Sequence, residues 1–264
     1  MKTFIYFLLF ASFLATGLFA FEEHKALESV LKKLDINSTF VLYDMQTEKY
    51  VGYNKTRAYK RYSPASTFKI ANSLIGLETK AVKSVDEPIP YLGPENPFMS
   101  EWKEDMGLRR AITISNVPIY QELARRVGLT KMKRRLKSLG YGNADVGERV
   151  DRFWLDGPLE ISAIEQIEFL KKLLEEKLPI SQQTQKDVKR ILLLESGAAY
   201  TLYGKTGWQN APNSGTGWFI GWLENSQGIY IFAFNMDMSG ISDAPKRVSL
   251  TKECLFALGL LKKL

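Results

Sequence analysis

The chain has 264 residues and a formal charge of +7, with one histidine (His24) and one cysteine (Cys254). That inventory leaves a serine–histidine–acid triad only His24 to use, supplies no ligand set for a zinc site, and excludes an internal disulfide. A chain of this length buries a full core without crosslinks, and its mild positive balance suits an anionic substrate or an anionic cell envelope.

Taken in order, residues 1–20 read as a secretory signal. Lys2 precedes an uncharged stretch over 4–21, and Ala15, Gly17 and Ala20 gather at its far end. Cleavage after Ala20 would leave one domain over residues 21–264 and predicts a periplasmic protein. An uncleaved anchor is the other reading, since the stretch approaches the ~20 residues that span a bilayer. No later segment is apolar enough to do so. Residues 39–45 and 49–53 read as a hairpin turning at Gln46-Thr47-Glu48.

Pro64-Ala65 then leads into Ser66-Thr67-Phe68-Lys69, followed by Ile70, Ala71, Leu74, Ile75 and Leu77. This pattern predicts a short, largely apolar helix with Ser66 near its first turn and Lys69 on the same face. Burial there would lower the lysine pKa, and the helix start would favour developing negative charge. Ser-x-x-Lys also occurs at Ser29/Lys32, Ser100/Lys103 and Ser249/Lys252. Context alone separates Ser66 from these, and a capping serine with a surface lysine is the plain alternative.

Ser115-Asn116-Val117-Pro118 reads as a helix start with proline in the first turn and Ser115 as the cap. Lys131, Lys133, Arg134, Arg135 and Lys137 are interleaved with Met132, Leu136 and Leu139, which predicts a solvated amphipathic helix and not a nucleic-acid surface. Tyr141-Gly142-Asn143 forms a turn after it. Ser162-Ala163-Ile164-Glu165 is a capping box opening a helix with Ile164, Ile167, Leu170 and Leu174 on one face. Stretches 202–208, 218–223 and 229–235 are aromatic and β-branched enough for strands, and the first carries Lys205-Thr206-Gly207-Trp208. From about Lys246 a helix closes the chain, and its stripe Leu250, Cys254, Leu258, Leu261 places the thiol in the core. Terminal strands around a helical middle predict an α+β fold, an antiparallel sheet lobe beside a helical lobe with a cleft between them.

The order Ser66-x-x-Lys69, Ser115-x-Val117, Tyr141-Gly142-Asn143, Lys205-Thr206-Gly207 resembles the class D, oxacillinase-type serine β-lactamases, whose fold is that of penicillin-binding transpeptidases. Phe153-Trp154-Leu155, Ile161-Ser162-Ala163 with Glu165-Gln166, and Pro245-Lys246-Arg247 extend the resemblance over nearly all of residues 21–264. It implies hydrolysis of β-lactams, penicillins foremost, through an acyl-enzyme on Ser66. It implies N-carboxylation of Lys69 by dissolved CO₂, with the carbamate as general base and the Trp154 indole N–H donating to it. By the same resemblance Ser115 relays a proton to the lactam nitrogen beside Lys205. The backbone N–H groups of Ser66 and Trp208 form the oxyanion hole, and Thr206 and Arg247, next to Gly207, hold the substrate carboxylate. Val117 and Leu155 are expected as apolar walls, Tyr141 and Asn143 as residues shaping the cleft, and Trp102 and Met106 either at its rim or in the core. No metal or organic cofactor is expected, only CO₂ or bicarbonate. A monomer is the default, with a homodimer open. The rival readings are a penicillin-binding sensor or a cell-wall transpeptidase or carboxypeptidase, acylated but slow to release product, and a noncatalytic cationic envelope-binding protein.

Overall fold

The computed structural model describes residues 21–210 and 215–262. The expected signal, residues 1–20, lies outside them. In chain order the elements are β1 (Phe21–Glu23), α1 (Lys25–Leu31), β2 (Ser38–Asp44), β3 (Lys49–Tyr53), α2 (Lys55–Tyr59), α3 (Lys69–Glu78), α4 (Leu108–Thr113), α5 (Val117–Val127), α6 (Leu129–Leu139), α7 (Ala163–Leu174) and α8 (Gln182–Ile191). There follow β4 (Leu193–Ser196), β5 (Tyr200–Gln209), β6 (Gly215–Asn225), β7 (Gly228–Met238) and α9 (Lys246–Ala257).

The strands form one sheet in the order β1-β3-β2-β7-β6-β5-β4. Its seam joins the ends of the chain: β2 runs antiparallel to β7, with Phe40 opposite Phe234 and Leu42 opposite Phe232. The sheet departs from the expected antiparallel pattern at one place, because β1 lies parallel to β3, Phe21 opposite Tyr50. β1 reaches that edge directly and hands over to α1, where His24 Nδ1 accepts from the Ala26 amide at 3.3 Å. The lone histidine is therefore a helix cap.

Period-2 alternation buries the sheet on both faces. Phe40, Leu42, Phe219, Leu223, Phe232 and Phe234 face a smaller core closed by Leu27 and Leu31 of α1 and Leu250, Cys254 and Leu255 of α9. Val41, Tyr43, Trp218, Ile220, Trp222, Ile231 and Ala233 face the main core, shared with α3, α5, α6 and α7. Cys254 is wholly buried, and burial pushes its thiol pKa up, as an inert core thiol requires. The predicted capping box is present, with Ser162 Oγ accepting from the Glu165 amide and the Glu165 carboxylate accepting from the Ser162 amide. Asn225 Oδ1 closes the β6–β7 turn by accepting from Gln227 N and Gly228 N. Met132, Leu136 and Leu139 of α6 are buried, as their spacing predicts.

Candidate active site

Ser66 sits in a 3₁₀ turn, Ala65–Phe68, that runs straight into α3. In a 3₁₀ turn residues three apart eclipse, so Lys69 falls directly over Ser66, and its Nζ donates to Ser66 Oγ at 2.7 Å. Ala65, just before the nucleophile, is held at φ 47°, a left-handed conformation a side chain adopts only under constraint. Lys69 is fully buried, with the Tyr120 ring 5.4 Å from its Nζ. Burial, aided by Lys205, drives its pKa well below the ordinary lysine range.

The other three Ser-x-x-Lys pairs are built differently. Lys32 is ion-paired to Glu28 at 2.9 Å, Lys252 to Glu195 at 2.5 Å, and Lys103 to Glu95. Each of those ammonium groups is neutralised by a carboxylate at the surface. Lys69 alone of the four is buried and faces a serine.

β5 brings the second cation. Lys205 is buried, donates to the carbonyl of Thr206 at 3.1 Å, and has its pKa lowered to about 7 by burial and by Arg247. Gly207 is what lets this strand approach. A Cβ there would stand 2.9 Å from the Pro64 carbonyl oxygen and 3.1 Å from Thr67 Cγ2, so any larger residue would push β5 away from the nucleophile turn. Arg247, from the first turn of α9, donates to the Gly207 carbonyl at 2.6 Å and the Ala244 carbonyl at 2.9 Å, and burial lowers its pKa to about 10.

A cavity of about 290 Å³ opens over these groups, lined by Ser66, Ser115, Val117, Thr206, Gly207, Trp208 and Arg247, with Trp102 on its helical side. No lining residue is acidic. Phe98, Met99, Asn210 and Ile241 complete the wall, and no motif in the sequence marks these four. For Phe98, Met99 and Ile241 the one signal that could find them is an apolar residue left exposed, Phe98 67% and Ile241 56%; nothing marks Asn210. The Phe98 ring stands 6.0 Å from Trp102 and 6.3 Å from Trp208, so it reaches across the mouth from the helical side to the sheet side. A larger hollow of about 510 Å³ beside Tyr203 and Trp222 is lined by no serine, threonine or cysteine.

Ser115 lines the cavity, yet it does not cap α5. The Asn116 side chain does, accepting from the Ile119 amide at 3.1 Å, while Ser115 is held at φ 58°. Asn116 also donates to the Trp102 carbonyl at 3.0 Å, so one buried amide ties the cap to the cleft wall. Relieved of capping, the Ser115 hydroxyl is left facing the cleft. Trp102 answers both expectations: it is 8% exposed, its indole donates to the Ile114 carbonyl at 3.0 Å, and one face lines the cavity. Met106 is a core residue.

Tyr141 and Asn143 do not shape the cleft. Tyr141 is wholly buried behind Phe68, ring centroids 5.7 Å apart, and packs edge-on to Phe169. Its hydroxyl lies 3.5 Å from Gln166 Oε1, and Gln166 donates to Thr67 Oγ1 at 2.9 Å, so it braces the nucleophile turn from behind. Asn143 is exposed, donating to the Pro158 carbonyl at 2.7 Å and accepting from the Glu160 amide at 3.1 Å. Gly142 between them has φ 55°, and a Cβ would lie 2.1 Å from the Glu160 oxygen, so the turn demands glycine. Leu155 is half-buried against the main core and does not line the Ser66 cavity.

Trp154 is wholly buried, its ring 5.3 Å from that of Phe68, and its indole N–H has no acceptor among the described residues. Leaving a buried donor unpaired costs about 1–3 kcal/mol. Trp154 thus packs on the residue before Lys69, so an amine without an anion and a donor without an acceptor are buried in adjoining parts of one core. A carboxyl group on Lys69 would give both what they lack, so the residues present fit that modification. Among the described residues no cluster of histidine, cysteine and carboxylates could hold a metal ion.

Residues 38–255 match the family model described as penicillin binding protein transpeptidase domain. The chain is 36% identical to β-lactamase OXA-10 of Pseudomonas aeruginosa, over 99% of each chain. It is 37% identical to β-lactamase OXA-48 of Klebsiella pneumoniae, over 89% of this chain and 88% of that one. Among solved structures, FUS-1 (OXA-85), a class D β-lactamase from Fusobacterium nucleatum subsp. polymorphum, superposes with a TM-score of 0.88 at 42% identity, covering 91% of this chain and all of that one.

Proposed function

The chain belongs to the class D β-lactamases, and on that premise we propose that it hydrolyses β-lactam antibiotics by covalent catalysis at Ser66, with Lys69 carrying the base. The observation that carries this reading is the 2.7 Å hydrogen bond from a fully buried Lys69 to Ser66 Oγ, in a pocket with no carboxylate. Carboxylated by CO₂, Lys69 would supply a general base held by the Trp154 indole N–H. Ser66 Oγ gives up its proton on the Lys69 side and attacks the lactam carbonyl; the lactam C–N bond breaks as the acyl-enzyme forms. Ser115, facing the same cavity, passes a proton to the departing nitrogen, and Lys205 keeps that end of the cleft positive. The amides of Ser66 and Trp208 receive the developing oxyanion. Thr206 and Arg247 bind the substrate carboxylate, a role supported by the shortage of anions around three depressed cations. Water then cleaves the acyl-enzyme and releases the ring-opened product.

We further propose that residues 1–20 direct export and are removed, leaving a periplasmic monomeric domain over 21–264. No helix among the described residues is long and apolar enough to cross a membrane. The N-terminal sequence of the protein recovered from cells tests the cleavage.

The hydrolase reading is tested by intact-mass spectrometry of the protein mixed with limiting penicillin. An adduct should appear and then disappear as ring-opened product accumulates. An adduct that persists for hours would replace hydrolase with sensor or transpeptidase.

A further inference from the structure

Trp154 rides on a turn-rich stretch, residues 151–157, whose backbone bonds are local: Leu155 N to the Arg152 carbonyl and Leu159 N to the Phe153 carbonyl. Just beyond it, Ile161 and Tyr62 exchange two backbone hydrogen bonds at 2.9 and 3.0 Å, but this bridge stops short of the tryptophan itself. The start of the stretch is held from α5, where Gln121 Nε2 donates to the Asp151 carbonyl at 3.0 Å and Arg125 pairs with the Asp151 carboxylate at 2.9 Å. The tryptophan itself is held from the other side by Ser63, three residues before Ser66. Ser63 Oγ donates to the Trp154 carbonyl at 3.0 Å, with the Leu155 carbonyl at 3.3 Å. Ser63 is in turn fixed by Trp218 of β6, whose indole N–H donates to the Ser63 carbonyl at 2.9 Å. Both residues are buried.

We infer that Ser63 is a positioning residue: it latches the Trp154 segment to the nucleophile turn and thereby sets how much CO₂ the site needs to keep Lys69 carboxylated. This rests on the carbamate reading above. Ser63 touches neither Ser66 Oγ nor the cleft lining, so its effect passes through the placement of one indole N–H. A hydroxyl bonded to a buried carbonyl contributes about as much as one neutral hydrogen bond. Losing it lets Trp154 drift from its place against Phe68, the residue before Lys69.

The test is a titration of the protein with ¹³C-bicarbonate, following the carbamate signal by NMR alongside penicillin turnover. In Ser63→Ala the half-saturating bicarbonate should rise about tenfold, and saturating bicarbonate should restore most of the turnover. Ser63→Thr, which keeps the Oγ, should stay within about twofold of wild type. In a Trp154→Phe background, Ser63→Ala should add almost nothing, because the group it positions is gone. An unchanged titration in folded Ser63→Ala, or an equal shift in the Trp154→Phe background, overturns the inference. Should Ser63→Ala fail to fold, Trp218→Phe removes the bond that anchors Ser63 and must raise the bicarbonate demand in its place; an unchanged demand there also overturns it. Wild-type protein that turns over penicillin with no carbamate signal would instead overturn the Lys69 reading.

Discussion

Two buried cations lie twelve residues apart and are treated in opposite ways. Arg57 of α2 is 4% exposed; its Nε donates to Asn235 Oδ1 at 2.6 Å, its Nη2 lies 2.8 Å from the Asp237 carboxylate, and its guanidinium sits 4.7 Å from the Tyr62 ring centre. The Nη2 contact is an ion pair whose angle falls short of a hydrogen bond. Lys69 is buried as deeply and has only a serine hydroxyl and the Tyr120 ring. A buried charge with a carboxylate and an amide holds α2 to the sheet. A buried amine without them is pushed towards its neutral form and becomes reactive. The difference between structural and chemical burial here is the anion, present at one site and withheld at the other.

The sharpest way to test that contrast is at the reacting pair. Ser66→Ala should lower penicillin turnover by about 10⁴-fold or more and abolish the mass adduct. Arg57→Met should leave the adduct in place wherever the protein folds. Stability should move in opposite directions at the two sites. Lys69→Met relieves an unpaired buried amine and should raise the unfolding free energy by about 2 kcal/mol in urea titrations, at the expense of activity. Arg57→Met strands the buried Asn235 side-chain carbonyl, while the half-exposed Asp237 keeps Asn37 and water, and should lower it by about 2 kcal/mol. Equal losses at both sites would dissolve the comparison. Arg247, the third cation without a carboxylate, tests whether the missing anion belongs to the substrate. Arg247→Ala should raise KM for penicillins about tenfold with kcat changed far less, read from steady-state kinetics.

The smallest effect expected is a pH slope. The folded protein holds Lys205 half-protonated near pH 7, whereas the unfolded lysine keeps its proton up to about 10.5. Between those values the unfolded state binds more protons, so stability rises with pH and is lost as pH falls towards 7. In carbamate-free protein Lys69, lowered in the same sense, adds to the slope. Unfolding free energies from urea titrations should climb in wild type between pH 7 and 9.5, by at most about 1.4 kcal/mol per unit from Lys205. The climb should be shallower in Lys205→Met. The window stops short of 10, where buried tyrosines such as Tyr141, with raised pKa, begin to act in the opposite direction.

Legibility in the sequence follows locality. The hairpin of β2 and β3, the strands β5 to β7 and the capping box of α7 are readable, because alternation, turn residues and caps act over a few positions. β1 and β4 are not: three and four residues are too short for a period to show. Ser66, Lys69, Lys205 and Arg247 are legible as site residues because the family resemblance marks them, and the fold brings them to one cavity or its floor. Tyr141 is not placed by its motif, because a tyrosine next to a turn does not disclose which side it packs on; its neighbours Phe68 and Phe169 lie 73 and 28 positions away. Asn116 displaces Ser115 as the cap because either residue type caps well, and only the backbone angle at Ser115 decides between them. The Ser63 latch is unreadable for a related reason: its partners, residues 154 and 218, are far off in the chain.

The central seam of the sheet carries a consequence for the order of assembly. Ser38 meets Met236 and Asp44 meets Tyr230, so the innermost pairing waits until nearly the whole polypeptide has been synthesised. Loop-closure entropy for such a separation must be met before β2 gains its second neighbour in the sheet. Until β7 arrives, the early hairpin has one unmatched edge along β2. A nascent chain of this design can bring its helices to the first hairpin early, but it completes the sheet only when the last strands are free to join that hairpin.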